Sequence, residues 1–288
     1  MKTLNKEITI QIVLYEESSS LIIHCLENLK DFKIIIVDNK NNKKLRLMIN
    51  NKFKIFKYIL NNKNMGYSRA HNQASKYCQS EYLFIMNADC FIKKEDILKL
   101  LTTLKKNNNC VIVAPTTYDK SSNITYNGGP LPEKKNKANI LNLEGDACVD
   151  SVLGCAMMIK KSDFENMQKF DENFFLFFSD DDLCKKIKIN KKSIIQSFSA
   201  KAKHQHGQSK VRNELKKIFL RNFHYTFDEM YYYYKYYKSL HIYNKLKKKI
   251  FIYILKILIN FLLLKFSKSI KYLSVVLAYY KFRGFINN

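Results

Sequence analysis

Tryptophan is absent from the 288-residue chain, and only three prolines and seven glycines occur in it. So few chain breakers leave no room for a Pro- or Gly/Ser-rich linker, which predicts one large domain with an appendage rather than widely separated modules. The seven cysteines (Cys25, Cys78, Cys90, Cys110, Cys148, Cys155 and Cys184) form no CxxC pair and are odd in number. That excludes a disulfide framework or a zinc ribbon and suits a reducing cytoplasm. Residues 10–25 contain no glycine, so the phosphate-cradling loop of a nucleotidyltransferase is missing. Long apolar runs are also missing. Ile250–Leu264 spans 15 residues and is broken by Lys256 and Asn260, short of the roughly 18–20 needed to cross a bilayer. The opening MKTLNKEITIQIVLY runs straight into a strand pattern, with no signal-peptide core, which predicts a cytoplasmic protein.

Charge is abundant and one-sided. Fifty Lys and Arg face 25 Asp and Glu, a formal net charge of +25. One reading is an anionic partner, nucleic acid or membrane surface; the other is a compositional bias that also enriches Asn, Ile, Tyr and Phe. The excess is concentrated at the end of the chain, where residues 207–288 hold 17 basic against three acidic residues. No DNA- or RNA-reading motif accompanies it, so nucleic acid is not expected as a partner. On a helical wheel Lys245, Lys249, Lys256 and Asn260 share one narrow stripe and leave a wide apolar arc. Such a helix either packs on the main domain or lies in a membrane interface, with Lys247–Lys249 favouring an anionic leaflet.

Short apolar runs alternate with helical patterns through the first half. Strands are expected over Ile8–Tyr15, Lys33–Val37, Lys54–Leu60, Tyr82–Met86 and Val111–Ala114, with helices over Leu21–Leu29, Gly66–Cys78 and Ile97–Lys106. Strands apolar on both faces and separated by helices predict a mostly parallel α/β sheet, which binds ligands beyond its carboxyl edge. Asp38 and Asn87-Ala88-Asp89 fall at that edge, so the first half reads as a nucleotide-binding unit. Further on, Gly128-Gly129-Pro130 and Pro132 mark a turn-rich loop. A strand over Val149–Lys160 interrupted by Gly154, a helical turn over Ser162–Met167, a helix over Leu183–Ile189 and a strand over Ser193–Phe198 follow. The tail from Asn213 reads as helix, rich in Tyr and Lys. Between these elements, FFLFFSDDDLC at 174–184 breaks from an apolar run into three aspartates. Carboxylates rarely follow such runs inward without a partner or a task. The expectation is a pocket with the aromatic run as floor and the acids at its lip.

In order, the segments IVLYEES (12–18), IIIVDN (34–39), NKNMGYSRAHNQA (62–74), YLFIMNAD (82–89), VDSVLGCAMMIKK (149–161), FDENFFLFFSDDDLCKKI (170–187) and HQHGQS (204–209) resemble a bacterial family-2 glycosyltransferase of the GT-A fold, in the rhamnosyltransferase-like branch. The resemblance covers roughly residues 8–212. It implies a GT-A domain over 1–212, divided into a nucleotide-binding half (1–117) and an acceptor and catalytic half (118–212), followed by a basic, Tyr-rich helical tail (213–288). By the same resemblance Asp180 is the general base, and Asp89 of the DxD-type motif and His204 of HxxGxS hold Mg²⁺ or Mn²⁺. Asn87, where the first DxD carboxylate is replaced, contacts the sugar or ribose. Tyr15, Asp38, Asn64, Gly66 and Arg69 line the nucleotide, and Gly154, Asp182 and His206 belong to the sugar and acceptor pocket. Asp182 also suits the helix N-terminus, where negative charge is favoured. The implied activity is inverting transfer of a sugar from dTDP-rhamnose or a UDP- or dTDP-hexose to a saccharide or lipid-linked acceptor, in cell-surface polysaccharide synthesis on the inner face of the cytoplasmic membrane. The alternative is a catalytically inactive relative that binds sugar nucleotides, suggested by Asn87 and by Ser179, where many relatives carry Glu.

Overall fold

The computed structural model describes residues 7–134, 144–205 and 213–287. The chain divides into two compact units, Met1–Glu172 with Ser179–Lys210, and Asn173–Phe178 with Val211–Asn288.

In chain order the first unit contains β1 (Ile8–Leu14), α1 (Ser19–Glu27), β2 (Lys33–Asp38), α2 (Lys43–Lys52), β3 (Lys57–Leu60), α3 (Gly66–Ser75), β4 (Tyr82–Asn87), β5 (Cys90–Ile92), α4 (Lys94–Lys106) and β6 (Cys110–Tyr118). It continues with β7 (Gly128–Gly129), β8 (Ala147–Cys148), β9 (Ser151–Val152), β10 (Ala156–Lys160), α5 (Lys161–Asn166), α6 (Ser179–Ile189) and β11 (Ser193–His204). The main sheet has the order β3-β2-β1-β4-β10-β6-β11-β5, with β8 paired to β11. The β1–β4 block is parallel. β10 enters antiparallel between β4 and β6, and β11 runs parallel to β6.

The continuous apolar runs follow from burial on both faces. Phe84 and Met86 of β4 enter one core with Ile10, Ile12, Ile34 and Ile36, while Leu83 and Ile85 enter another with Met157 and Ile159. Alternate residues of a strand point to opposite faces, so a strand covered on both must be apolar throughout.

Several boundaries differ from the sequence pattern, and three of them bear on the site. The Val149–Lys160 run is two strands, β9 and β10, split around Gly154. Helix α6 starts at Ser179, four residues before its apolar pattern, because Asp180, Asp181 and Asp182 occupy the first turn where the helix dipole favours negative charge. β11 continues past Phe198 to His204, carried by register irregularities at Ser193/Ile194 and Ser197/Lys201.

The second unit contains α7 (Glu214–Tyr237), α8 (His241–Leu262) and α9 (Phe266–Asn287). α7 ends at Lys238, whose left-handed backbone (φ 49°) turns the chain. The core is aromatic: Phe174, Phe178, Phe227, Tyr231, Tyr232 and Phe282 are buried together. The 174–178 run is therefore a core segment of this unit and not a pocket floor, because Phe174 is fully buried with its ring 4.8 Å from Tyr231. Asp228 fastens the segment by accepting hydrogen bonds from the backbone N–H groups of Phe175 (3.4 Å), Leu176 (3.2 Å) and Phe177 (3.0 Å).

Candidate active site

Parallel strands end on one edge, and the turns that follow β1, β2 and β4 carry the polar residues of the site. After β2, Asp38 is buried, and its carboxylate accepts from Lys40 N (2.7 Å), Asn42 N (3.1 Å) and the Tyr58 hydroxyl (3.2 Å). Its internal role is to shape the turn into α2. Asn39 beside it joins β2 to the start of α3. Its amide donates to the Gly66 carbonyl (3.1 Å), and its oxygen accepts from Asn61 (2.9 Å) and Met65 N (3.3 Å). Asn64 Oδ1 accepts from Gly66 N (2.9 Å), and Gly66 takes φ 79°, a conformation open to glycine without steric cost. Asn64 and Gly66 thus build the α3 entry. Arg69, half exposed, is 3.5 Å from Glu172. Tyr15 donates its backbone N–H to Glu17.

Glu17 is an acid that sequence reasoning did not single out. Burial pushes its carboxyl up to about 7 against two backbone hydrogen bonds, and the charges of Asp89 and Asp38 add to the rise. Glu17 thus lies within electrostatic reach of Asp89 and Asp38 at the strand ends. The signal was present in the EE that closes the first apolar strand.

Past β4, Asn87 donates its backbone N–H to the Cys155 carbonyl (3.0 Å), which fixes the Asn87-Ala88-Asp89 turn. The antiparallel pairing of β11 with β5 sets His204 opposite Cys90. His204 Nε2 then lies 3.3 Å from Asp89 Oδ1, with both side chains largely buried. Burial pulls the imidazole down, but the hydrogen bonds and charges of Asp89 and Cys155 outweigh it and hold His204 up to about 10. The two residues inferred as metal ligands are thus neighbours, 115 positions apart in the chain. A carboxylate oxygen and an imidazole nitrogen suit a hard to borderline divalent cation, which would displace the proton that His204 otherwise shares with Asp89. Among the described residues no group of three or more His, Cys, Asp or Glu forms a complete metal cage. His206 lies outside the described residues.

Asp180, at the start of α6, accepts from Gly154 N through Oδ2 (2.7 Å). The same glycine's carbonyl accepts from the Tyr67 hydroxyl (2.8 Å). A Cβ on Gly154 would lie 2.4 Å from that hydroxyl, so no other residue fits without movement. Tyr67 is in turn packed edge-on against His71 (4.4 Å) and Phe170 (5.3 Å). Ser68 donates to Ser179 (2.8 Å), tying α3 to the first turn of α6. Asp181, part-buried, accepts from Ser151 (2.8 Å). Asp182 is fully buried and pairs with Lys186 at 3.2 Å, one helical turn on. That is a helix-anchoring position. Tyr67, Ser68, Asn39 and Glu17 are the residues that the motif reading passed over.

Residues 9–166 match the protein family described as Glycosyl transferase family 2. Over 226 residues, 74% of this chain and 72% of the relative, the sequence is 26% identical to the low-salt glycan biosynthesis hexosyltransferase Agl10 of Haloferax volcanii. Two solved structures share the fold. GalNAc-T7 with UDP, GalNAc and Mn²⁺ superposes with TM-score 0.56 at 12% identity, covering 71% of this chain and 44% of that one. The mannosyltransferase PcManGT from Pyrobaculum calidifontis with GDP-Man and Mn²⁺ gives 0.55 at 13%, covering 79% and 65%. The chain thus spans less than half the length of the first of these and under two thirds of the second. By the family match over residues 9–166, more than half of its length, the chain belongs to glycosyl transferase family 2, and it has a GT-A-type α/β fold with a C-terminal helical region.

Proposed function

We propose that this glycosyltransferase is an inverting hexosyltransferase that moves a sugar from a nucleoside-diphosphate donor to a saccharide or lipid-linked acceptor. The observation that carries the reading is the 3.3 Å approach of His204 to Asp89 at the sheet edge, in the same unit as Asp180. In a single displacement the acceptor oxygen attacks the anomeric carbon and gives its proton to the Asp180 carboxylate. The bond to the diphosphate breaks, and its electron pair leaves on the phosphate oxygen. Gly154 N–H holds Oδ2 of Asp180 and orients the base, while the Tyr67 hydroxyl fixes the Gly154 peptide from its other side. Asp89 and His204 would hold a divalent cation, Mg²⁺ or Mn²⁺, which neutralises charge on the leaving diphosphate. Both solved neighbours are complexes with Mn²⁺. Asn87 faces sugar or ribose, and Tyr15, Asp38, Asn64, Gly66 and Arg69 frame the nucleotide.

The donor implied by the resemblance is dTDP-rhamnose or a UDP- or dTDP-hexose. The Haloferax relative, described as a glycan biosynthesis hexosyltransferase, supports a surface-glycan acceptor. The basic second unit supports work at the inner face of a membrane. No helix among the described residues is long and apolar enough to cross one, and the attachment proposed is a peripheral one through this basic unit.

The test is release of nucleotide from UDP-, dTDP- and GDP-sugars by the purified chain with Mg²⁺, Mn²⁺ or EDTA. Metal-dependent release from one donor class is expected. Release untouched by EDTA overturns the roles of Asp89 and His204. Tight nucleotide binding without turnover, even with acceptors present, leaves the inactive relative as the answer.

A further inference from the structure

The outer side of α8 is apolar and uncovered. No residue of this helix is buried. Its inner side meets α9: Tyr243 stacks on Tyr279 (4.7 Å), Tyr253 lies 5.4 Å from Tyr272, and Ser269 donates to the Ile257 carbonyl (3.0 Å). Opposite these contacts Phe251, Leu255, Leu258 and Leu262 recur at helical spacing, with exposures from 42% at Leu255 to 79% at Leu262. The row runs into the turn before α9, where Leu263 and Leu264 are also exposed. The turn closes with Lys265 N donating to Asn260 O (2.8 Å) and Leu264 at φ 54°. Glycine is the residue that takes this position without steric cost, yet the chain places an exposed leucine there.

Charge identifies what covers the surface. Neither α8 nor α9 contains an Asp or Glu, and Lys245, Lys247–Lys249, Lys256, Lys265, Lys268 and Lys271 surround the apolar row. A second copy laid on this face would bring lysines against lysines. Anionic headgroups would meet them with opposite charge. Lys256 is outside the apolar row, and its ammonium lies over the rings of Tyr253 (6.0 Å) and Tyr272 (5.3 Å).

We propose that α8 and the α8–α9 turn form an in-plane anchor for an anionic bilayer. Phe251, Leu255, Leu258, Leu262 and the two turn leucines enter the acyl boundary, and the flanking lysines lie at the headgroup phosphates. The inference rests on the peripheral-membrane part of the proposed function and is independent of its donor and base assignments.

Because the chain has no Trp, a single introduced indole reports its own surroundings. Full-length Leu258→Trp, Leu262→Trp and a control, Tyr77→Trp on the first unit, are mixed with phosphatidylcholine vesicles with and without phosphatidylserine. The expected result is flotation with the anionic vesicles, blue-shifted emission and quenching by bromine-labelled acyl chains for the two α8 probes, and neither change for Tyr77→Trp. Leu258→Glu with Leu262→Glu should weaken partitioning at least about tenfold, with the far-UV spectrum unchanged. Flotation without a blue shift at either α8 probe overturns insertion and leaves a purely electrostatic contact. A blue shift that needs no lipid and grows with protein concentration assigns the face to a second copy. Absence of flotation overturns the anchor. Nucleotide release measured on the same samples keeps these outcomes separate from failure of the transferase reading.

Discussion

Gly154 is the position where one methyl group tests the catalytic geometry. In Gly154→Ala the new Cβ would lie 2.4 Å from the Tyr67 hydroxyl oxygen and 3.0 Å from Cζ. Ordinary contact requires the ring to recede by about 1 Å, but His71 and Phe170 pack against it. Either Tyr67 loses its 2.8 Å bond to the Gly154 carbonyl, or the Gly154 peptide moves and its N–H leaves Asp180. The first outcome costs about 1 kcal/mol for the hydrogen bond, and overpacking adds about 1–3 kcal/mol. The second misplaces the base. A shift of this size at a reacting group costs on the order of 10²-fold in rate. The assay is a thermal melt together with kcat for donor turnover. Tyr67→Phe removes the clashing oxygen, so Gly154→Ala/Tyr67→Phe should regain part of both losses relative to Gly154→Ala. The reasoning is refuted if Gly154→Ala melts and turns over like the wild type, or if the double variant is worse than the sum of the single ones.

Asp180→Asn should lower kcat by about 10²–10⁴-fold while donor affinity, read by calorimetry, stays within about twofold; retained turnover removes Asp180 from the base role. Asp89→Ala and His204→Ala should each weaken Mn²⁺ binding at least about tenfold, read from the electron paramagnetic resonance signal of free Mn²⁺. In the second unit, burial pushes the Asp228 carboxyl up to about 7 from 3.8, against the pull of three backbone N–H groups. A carboxyl raised in the folded state adds stability that is complete below its unfolded value and is lost as pH rises through the folded one. The urea stability of wild type relative to Asp228→Asn should therefore fall by up to about 4 kcal/mol between pH 4 and pH 8; a difference that is flat or rises with pH contradicts the assignment.

Much of the architecture was legible in the chain. The runs IIIV in β2 and YLFIM in β4 are apolar on successive residues, as a strand covered on both faces requires, and Asp38 and Asp89 follow them at the edge where such sheets bind ligands. The order of seven motifs pointed to the family before any contact was known. All seven cysteines are free thiols. Tertiary structure decided what local pattern could not carry. Strand direction belongs to pairing, so the antiparallel entry of β10 between β4 and β6 left no trace in its own sequence. The approach of His204 to Asp89 depends on the β11–β5 register, and the Tyr67–Gly154–Asp180 chain joins three segments distant in sequence. The aromatic run before the aspartates was visible as a buried segment, but which core would bury it was not. An apolar sequence specifies that a segment leaves water, and only packing against α7 and α9 specifies where it goes.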